Sequence, residues 1–304
     1  MRSNLRGGSV TDMKLTLMRL LHVTPGLRPV SRRIHPLWFF RLAHCSVALA
    51  GFFWPHARKL ACPFRQVVGG HFDKKELRAR SRRHLLYLRL FKDLECAWSN
   101  WETRPDWLSF EGEEHLMAAL QAGKGAVLLS CHNFGFSKLV APTLARRGYH
   151  VHRAGGGKKG GHRVSRWGKD YRINWKYLDH RGDYWHRLRS LAAVRAALAL
   201  NQVMHISPRA YDRGEEEAAV QFFGRKYFLD SRWFRLFQML QAPVLPCFAI
   251  AGSGGKMTIV IHPALPASAK PMVRQFAVIV SDYLSRLPEC GRLWKAVYLN
   301  RGQW

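Results

Sequence analysis

From residue 114 to residue 287, short apolar runs alternate with stretches whose apolar residues recur every three or four positions. Ala126-Val-Leu-Leu-Ser130, preceded by Gly123-Lys124-Gly125, has the pattern of a strand buried on both faces. Tyr149–His152 and Val203–Ser207 read as further strands, and Val244–Ala251 and Lys256–Ile261 read as two more joined through Gly252-Ser-Gly-Gly255. Helical spacing predicts helices over Glu114–Ala122, Lys138–Arg147, Leu188–Leu200, Trp233–Leu240 and Met272–Leu287. Strands alternating with helices predict an α/β fold, with a mixed, largely parallel sheet flanked by helices.

The N-terminal third is patterned differently. Residues 73–101 read as helix, strongly basic over Lys74–Arg83 and apolar at Leu85, Leu86, Leu88, Leu90, Phe91 and Leu94. Upstream, Pro36–Pro55 is the best candidate for membrane contact. Its unbroken apolar part is about fourteen residues, short of the roughly twenty that span a bilayer. Arg41 and His44 lie within the segment; Arg28, Arg32 and Arg33 precede it, and Arg58 and Lys59 follow. An interfacial or re-entrant helix fits that pattern better than a span, with a buried core helix as the other reading. Leu15–Val23 is broken by Arg19 and lacks a small-residue cleavage site, so it does not read as a signal peptide. No internal repeat or long linker divides the chain. The expected organisation is an N-terminal helical, membrane-associating extension over residues 1–105 and one α/β domain over 106–304.

Composition changes the picture mainly through charge. Forty-nine Lys and Arg against 20 Asp and Glu leave a net +29, which calls for an anionic partner. Nucleic acid and an anionic membrane surface both satisfy the sign. The 11 Trp and 17 Phe suit base stacking, but they also suit a headgroup-level belt. The membrane is the favoured partner, and no nucleic acid is expected. Six cysteines (Cys45, Cys62, Cys96, Cys131, Cys247 and Cys290) show no CxxC or CxH spacing, so they read as reduced, mostly buried thiols rather than a metal or redox site. That places the chain on the cytoplasmic face.

His132 is the first candidate for chemistry, because it stands where a buried strand gives way to a helix. In open α/β sheets, ligand sites gather at the carboxyl ends of strands. An imidazole there can take the proton of an alcohol as that alcohol attacks a thioester carbonyl; a hydrogen-bonded structural histidine is the alternative. Phe222-Phe-Gly-Arg225 offers an aromatic pair able to line an acyl channel, a glycine for a tight turn and a forked donor for phosphate, or else a core aromatic pair with a solvated arginine. Gly155–Gly161 is basic and glycine-rich but is not a Walker A loop. Glu215-Glu-Glu217 reads as a solvated turn.

Gly125-Ala-Val-Leu-Leu-Ser-Cys-His132-Asn-Phe-Gly-Phe-Ser137 resembles the first block of lysophospholipid acyltransferase-like enzymes, and most nearly their lipid A lauroyl/myristoyl acyltransferase branch. Val220-Gln-Phe-Phe-Gly-Arg225 is similar to that branch's Phe-Phe-Gly block, and Ala242–Ile250 to the strand that follows it. Arg153 falls where the family has an arginine after the second strand, and the likeness runs in order over roughly residues 35 to 300. The resemblance implies a fatty acyl chain moved from acyl carrier protein or acyl-CoA to a hydroxyl of a glycolipid or lysolipid, as in lipid A biosynthesis, at the inner membrane. It implies His132 as base, Arg153 and Arg225 as anion binders, Phe222, Phe223 and Gly224 on the acyl side, and no metal or organic cofactor. Two places depart: the family's acid, the fifth residue after the histidine, is Ser137 here, and the Asp-Gln-type pair ahead of Phe-Phe-Gly is replaced by Ser207-Pro-Arg-Ala-Tyr-Asp212. A carboxylate both fixes the tautomer of such a base and stabilises imidazolium; serine does part of the first and little of the second. Either an acid such as Asp212 or Asp179 serves instead, or the chain is a slow or non-catalytic relative that binds anionic lipid.

Overall fold

A computed structural model describes residues 64–84, 108–131, 134–153, 184–208, 210–211, 214–252 and 256–290. Pro36–Pro55, the glycine-rich loop at 155–161, and Cys45, Cys62 and Cys96 lie outside the described residues. Helical residues 64–68 (α1) and 74–84 (α2) open the described chain. After them come β1 (Leu108–Glu111), α3 (Glu113–Gln121), β2 (Ala126–Leu129), a 3-10 turn (Ser137–Leu139), α4 (Val140–Arg146) and β3 (Val151–Arg153). The order continues with α5 (Tyr184–Ala199), β4 (Val203–Ile206), β5 (Ala210–Tyr211), β6 (Ala219–Phe222), β7 (Arg225–Leu229), α6 (Ser231–Leu240), β8 (Val244–Ala251), β9 (Met257–Ile261), α7 (Ala269–Arg286) and a 3-10 turn over Pro288–Cys290.

The main sheet has six strands in the order β1-β9-β8-β2-β4-β3. Every neighbouring pair is parallel except β8 and β9, which form the antiparallel hairpin expected from the glycine turn. β2 and β4 are buried at every position, which explains why their sequences are unbroken apolar runs. Helix α7 covers the sheet with Met272, Val273, Phe276, Val280, Tyr283 and Leu284, one stripe at three- and four-residue spacing. Phe276 stacks on Phe248 of β8 at 6.2 Å between centroids and meets Phe234 of α6 at 5.9 Å. Burying a side chain of that size contributes about 1.5–3 kcal/mol, so Phe276 alone does much to hold α7 on β8 and α6.

Helix and strand ends are closed by local chemistry. Asn201, left-handed at φ 58°, follows α5; its Oδ1 accepts from the Gly125 amide and its Nδ2 donates to the Leu120 carbonyl, both at 3.0 Å. One side chain thereby joins the end of α3, the start of β2 and the turn before β4. Asp230 caps α6, accepting from the Arg232 amide.

Two parts of the architecture are absent from the sequence reading. β1 is an edge strand of four residues, paired in parallel with β9, and β5-β7-β6 form a separate antiparallel sheet. The β6–β7 connection is a two-residue loop with Phe223 at φ 47° and Gly224 at φ 72°, the positive-φ pair that tight hairpins require. Glu215–Glu217 lead into this sheet, and their carboxylates pair with Arg235, Lys226 and Lys270 rather than facing water alone. No helix among the described residues is long and apolar enough to cross a membrane.

Candidate active site

The carboxyl ends of β2, β3 and β4 share one edge of the main sheet. Leu129 is level with Ile206, and Arg153, the last residue of β3, is level with His205. From β2 the chain crosses towards β3, whereas β8 lies on the other side of β2 and leads away into β9. Connections diverging from adjacent strands leave a crevice beyond their ends, the usual ligand position in such sheets. His132 follows β2 by three residues and lies outside the described residues, as do Asp179 and Asp212. The chain up to Cys131 and from Phe134 onward is placed, and it is held from several directions.

Behind it, three central strands are tied by one buried knot. The Ser130 hydroxyl donates to the Cys247 carbonyl of β8 at 2.7 Å and lies 2.8 Å from Nε2 of His205 on β4. Serine has one hydroxyl proton, and the carbonyl takes it, so the His205 Nε2–H is the donor in the second bond. Ser130 and His205 are fully buried. Cys131 is also buried, and burial pushes its thiol up to about 12. A thiol that stays protonated at neutral pH is no nucleophile, which leaves Cys131 a packing residue.

Ahead of His132, the chain is clamped by two carbonyls. The Gly135 amide donates to the Cys290 carbonyl at 3.0 Å, and the Phe136 amide to the Ala249 carbonyl of β8 at 2.7 Å. Gly135 has φ 55°, and a Cβ there would meet the Ala249 carbonyl oxygen at 2.3 Å, so both the dihedral and the space demand glycine. Phe134 is buried against Phe248 and Tyr283. Ser137 begins the 3-10 turn and is buried. The position therefore belongs to a rigid part of the fold.

The Phe222–Arg225 block sits on the other side of α7. Gln221 of β6 donates its amide to Ser281 Oγ of α7 at 2.9 Å, while Tyr283 of the same helix packs on Phe134. The two aromatic rings have different surroundings. Phe222 is buried and stacks on Tyr227 at 4.9 Å and 5°, whereas Phe223 stands half-buried at the hairpin tip against His71 and Phe72. A left-handed phenylalanine costs about 1–2 kcal/mol of backbone strain, which the tip carries alongside Gly224 and a half-buried Arg225.

Against this geometry, the profile of the bacterial lipid A biosynthesis acyltransferase family matches residues 97–284, more than half of the chain. The chain belongs to that family. A search of curated proteins gave no match. Membership in the lipid A acyltransferases supports acyl transfer as the general activity, with an acyl donor and a lipid acceptor. The matched span contains the described end of β2, the clamped turn, β3 and the Phe222–Arg225 hairpin. It ends before Pro288–Cys290, whose last carbonyl holds Gly135.

Sequence reasoning passed over two groups that the acyltransferase fold brings to this region, the Ser130–His205 knot and Glu289. Only the first carried a readable signal. Ser130 and His205 are polar residues in runs otherwise apolar on both faces, and a buried polar group needs a partner. Glu289 is an acid in a strongly basic chain, yet it is 2% exposed.

Proposed function

We propose that the chain transfers a fatty acyl group from an acyl thioester, carried on acyl carrier protein, to a hydroxyl of a glycolipid or lysolipid at the cytoplasmic face of the inner membrane. His132 takes the proton of the acceptor hydroxyl as its oxygen attacks the thioester carbonyl, and returns it to the departing thiolate as the carbonyl re-forms. The new bond is an oxygen ester, the broken bond the thioester, and the second product a thiol. Ser137 orients the imidazole without stabilising its charged form as a carboxylate would. Arg153 and Arg225 bind phosphate of the acceptor or of the donor's phosphopantetheine, and Phe223 with Gly224 lies on the acyl side. The observation that carries this reading is the clamped turn beyond β2, at the sheet edge where Arg153 also ends its strand, in a chain of this family.

Membrane attachment is part of the same proposal. Lys74, Lys75, Arg78 and Arg82 are exposed on α2 and have no ion pair among the described residues. Each basic residue near an anionic surface contributes about 1 kcal/mol, screened by salt. The serine at the acid position favours one second reading, a non-catalytic relative that holds anionic lipid.

Mass spectrometry of lipids from cells with and without the gene separates the two. Transfer predicts a lipid species heavier by one acyl chain that disappears with the gene and with His132→Ala. Identical lipid profiles, together with salt-sensitive binding to anionic vesicles, would establish the binding protein. Transfer undiminished in His132→Ala would remove His132 from the mechanism.

A further inference from the structure

Pro288–Cys290, just past α7, is tied on one side to α2 and on the other to the turn beyond His132. Glu289 is 2% exposed, and its Oε2 accepts from Nη1 of Arg80 at 2.8 Å. Arg83 Nη1 lies 3.4 Å from Oε1. The Arg80 guanidinium is itself fixed: it donates to Glu76 at 3.0 Å and to the Arg286 carbonyl at 2.9 Å, and lies 4.4 Å over the Phe72 ring. His84 Nδ1 donates to the Glu289 main-chain carbonyl at 3.1 Å, with its ring stacked on Phe64. The next carbonyl along, that of Cys290, is the one that accepts the Gly135 amide.

We infer that Glu289 is a positioning residue for acyl transfer: held by Arg80 and Arg83, it fixes the Cys290 carbonyl on Gly135 and thereby sets the segment that carries His132 and Ser137. A buried carboxylate is a poor source of net stability, because desolvation offsets most of its attraction to arginine. What the pair supplies is direction. Two arginines and an imidazole, all from α2, hold one acidic residue from its side chain and its main chain, so the 3-10 turn cannot rotate or slide without breaking charged bonds. Gly135 is three residues from His132 and two from Ser137, and its conformation leaves no slack against Ala249. The same network reaches the other family block, since Phe72 under Arg80 is in edge contact with Phe223. On this account α2 is part of the site's frame as well as a basic surface.

The inference rests on His132 as the base, and its test separates the two ideas. Glu289→Gln keeps the shape and removes the charge, and Glu289→Asp keeps the charge on a shorter arm. Amide hydrogen exchange on the full-length protein needs no substrate: Glu289→Gln should expose the Gly135 amide at least tenfold faster while Val127 in β2 stays protected. In transfer from a lauroyl-thioester donor to detergent-solubilised lipid, kcat should fall roughly 10- to 100-fold, the scale of a displaced reacting group, with KM within twofold. Glu289→Asp should lie between it and the wild type. Val194→Ala, a core truncation in α5, provides the control for lost stability and should leave kcat near the wild-type value. Unchanged Gly135 exchange in Glu289→Gln overturns the inference, and so does a kcat loss no larger than that of Val194→Ala. His132→Ala with full transfer overturns the base instead. Should Glu289→Gln fail to fold, Arg80→Lys, which keeps the charge but loses the fork, is read by the same two measurements.

Discussion

Replacing Ser130 by alanine removes one oxygen from the knot that joins β2, β4 and β8. The His205 Nε2–H and the Cys247 carbonyl each lose a partner, at 2.8 and 2.7 Å, in a region where Ser130 and His205 have no exposure. A buried polar group left unsatisfied costs about 1–3 kcal/mol. The carbonyl keeps a second lone pair and suffers less than the imidazole, so Ser130→Ala should destabilise by roughly 2–4 kcal/mol. Reversible urea unfolding followed by tryptophan fluorescence measures this directly. The double variant Ser130→Ala/His205→Phe then decides the cause. Replacing both partners by apolar groups removes the unsatisfied donor, so the pair should lose about 1–2 kcal/mol less than the sum of the singles. A Ser130→Ala loss below about 0.5 kcal/mol, or strictly additive singles, would show that the knot contributes only packing.

Gly135→Ala should destabilise by several kcal/mol, because a Cβ 2.3 Å from the Ala249 oxygen forces the clamped turn off β8; a thermal melt matching the wild type would contradict the placement of that turn. If His132 works with only a serine beside it, Ser137→Asp should raise kcat about 10- to 100-fold, since removing such a carboxylate elsewhere costs up to about four orders of magnitude. Lower activity in Ser137→Asp, with Asp212→Asn or Asp179→Asn inactive, would place the acid elsewhere in the chain. His262, beside Tyr283 at 2.9 Å, is held below its ordinary 6.5 by burial and by the nearby charges of His115 and Arg286, against a smaller opposing pull from Asp282. The native state therefore binds fewer protons there than the unfolded chain. Its contribution is present above pH 6.5 and is lost as pH falls through the lowered value. His262→Gln should flatten the decline of stability between pH 7 and pH 5, and an unchanged slope would assign that decline to other histidines.

The order of elements was legible because burial on both faces leaves a plain mark. β2, β4 and β8 are near-continuous apolar runs with breaks at Gly123–Gly125, Asn201 and Gly252, and α7 carries its stripe openly. The strand end before His132 was legible for the same reason, being local to one run of residues. β1 and the β5–β7 sheet were not, since strands of two to five residues, with half-exposed faces in β1, β6 and β7, look like loop until a partner strand pairs them. The hairpin tip is a sharper case: nothing in Phe222-Phe223 alone says that the first ring enters a core and the second does not. Hydrogen-bond register and hairpin geometry decided that. The supports of the site are further still from sequence reading. Ser130 and His205 are 75 residues apart, and Arg80 and Glu289 are 209. The sequence by itself settled which segments must be buried, because the hydrophobic effect acts on each segment's own composition. Only the tertiary structure decided which polar groups meet inside, because a buried hydrogen bond or ion pair depends on direction and distance between distant parts of the chain.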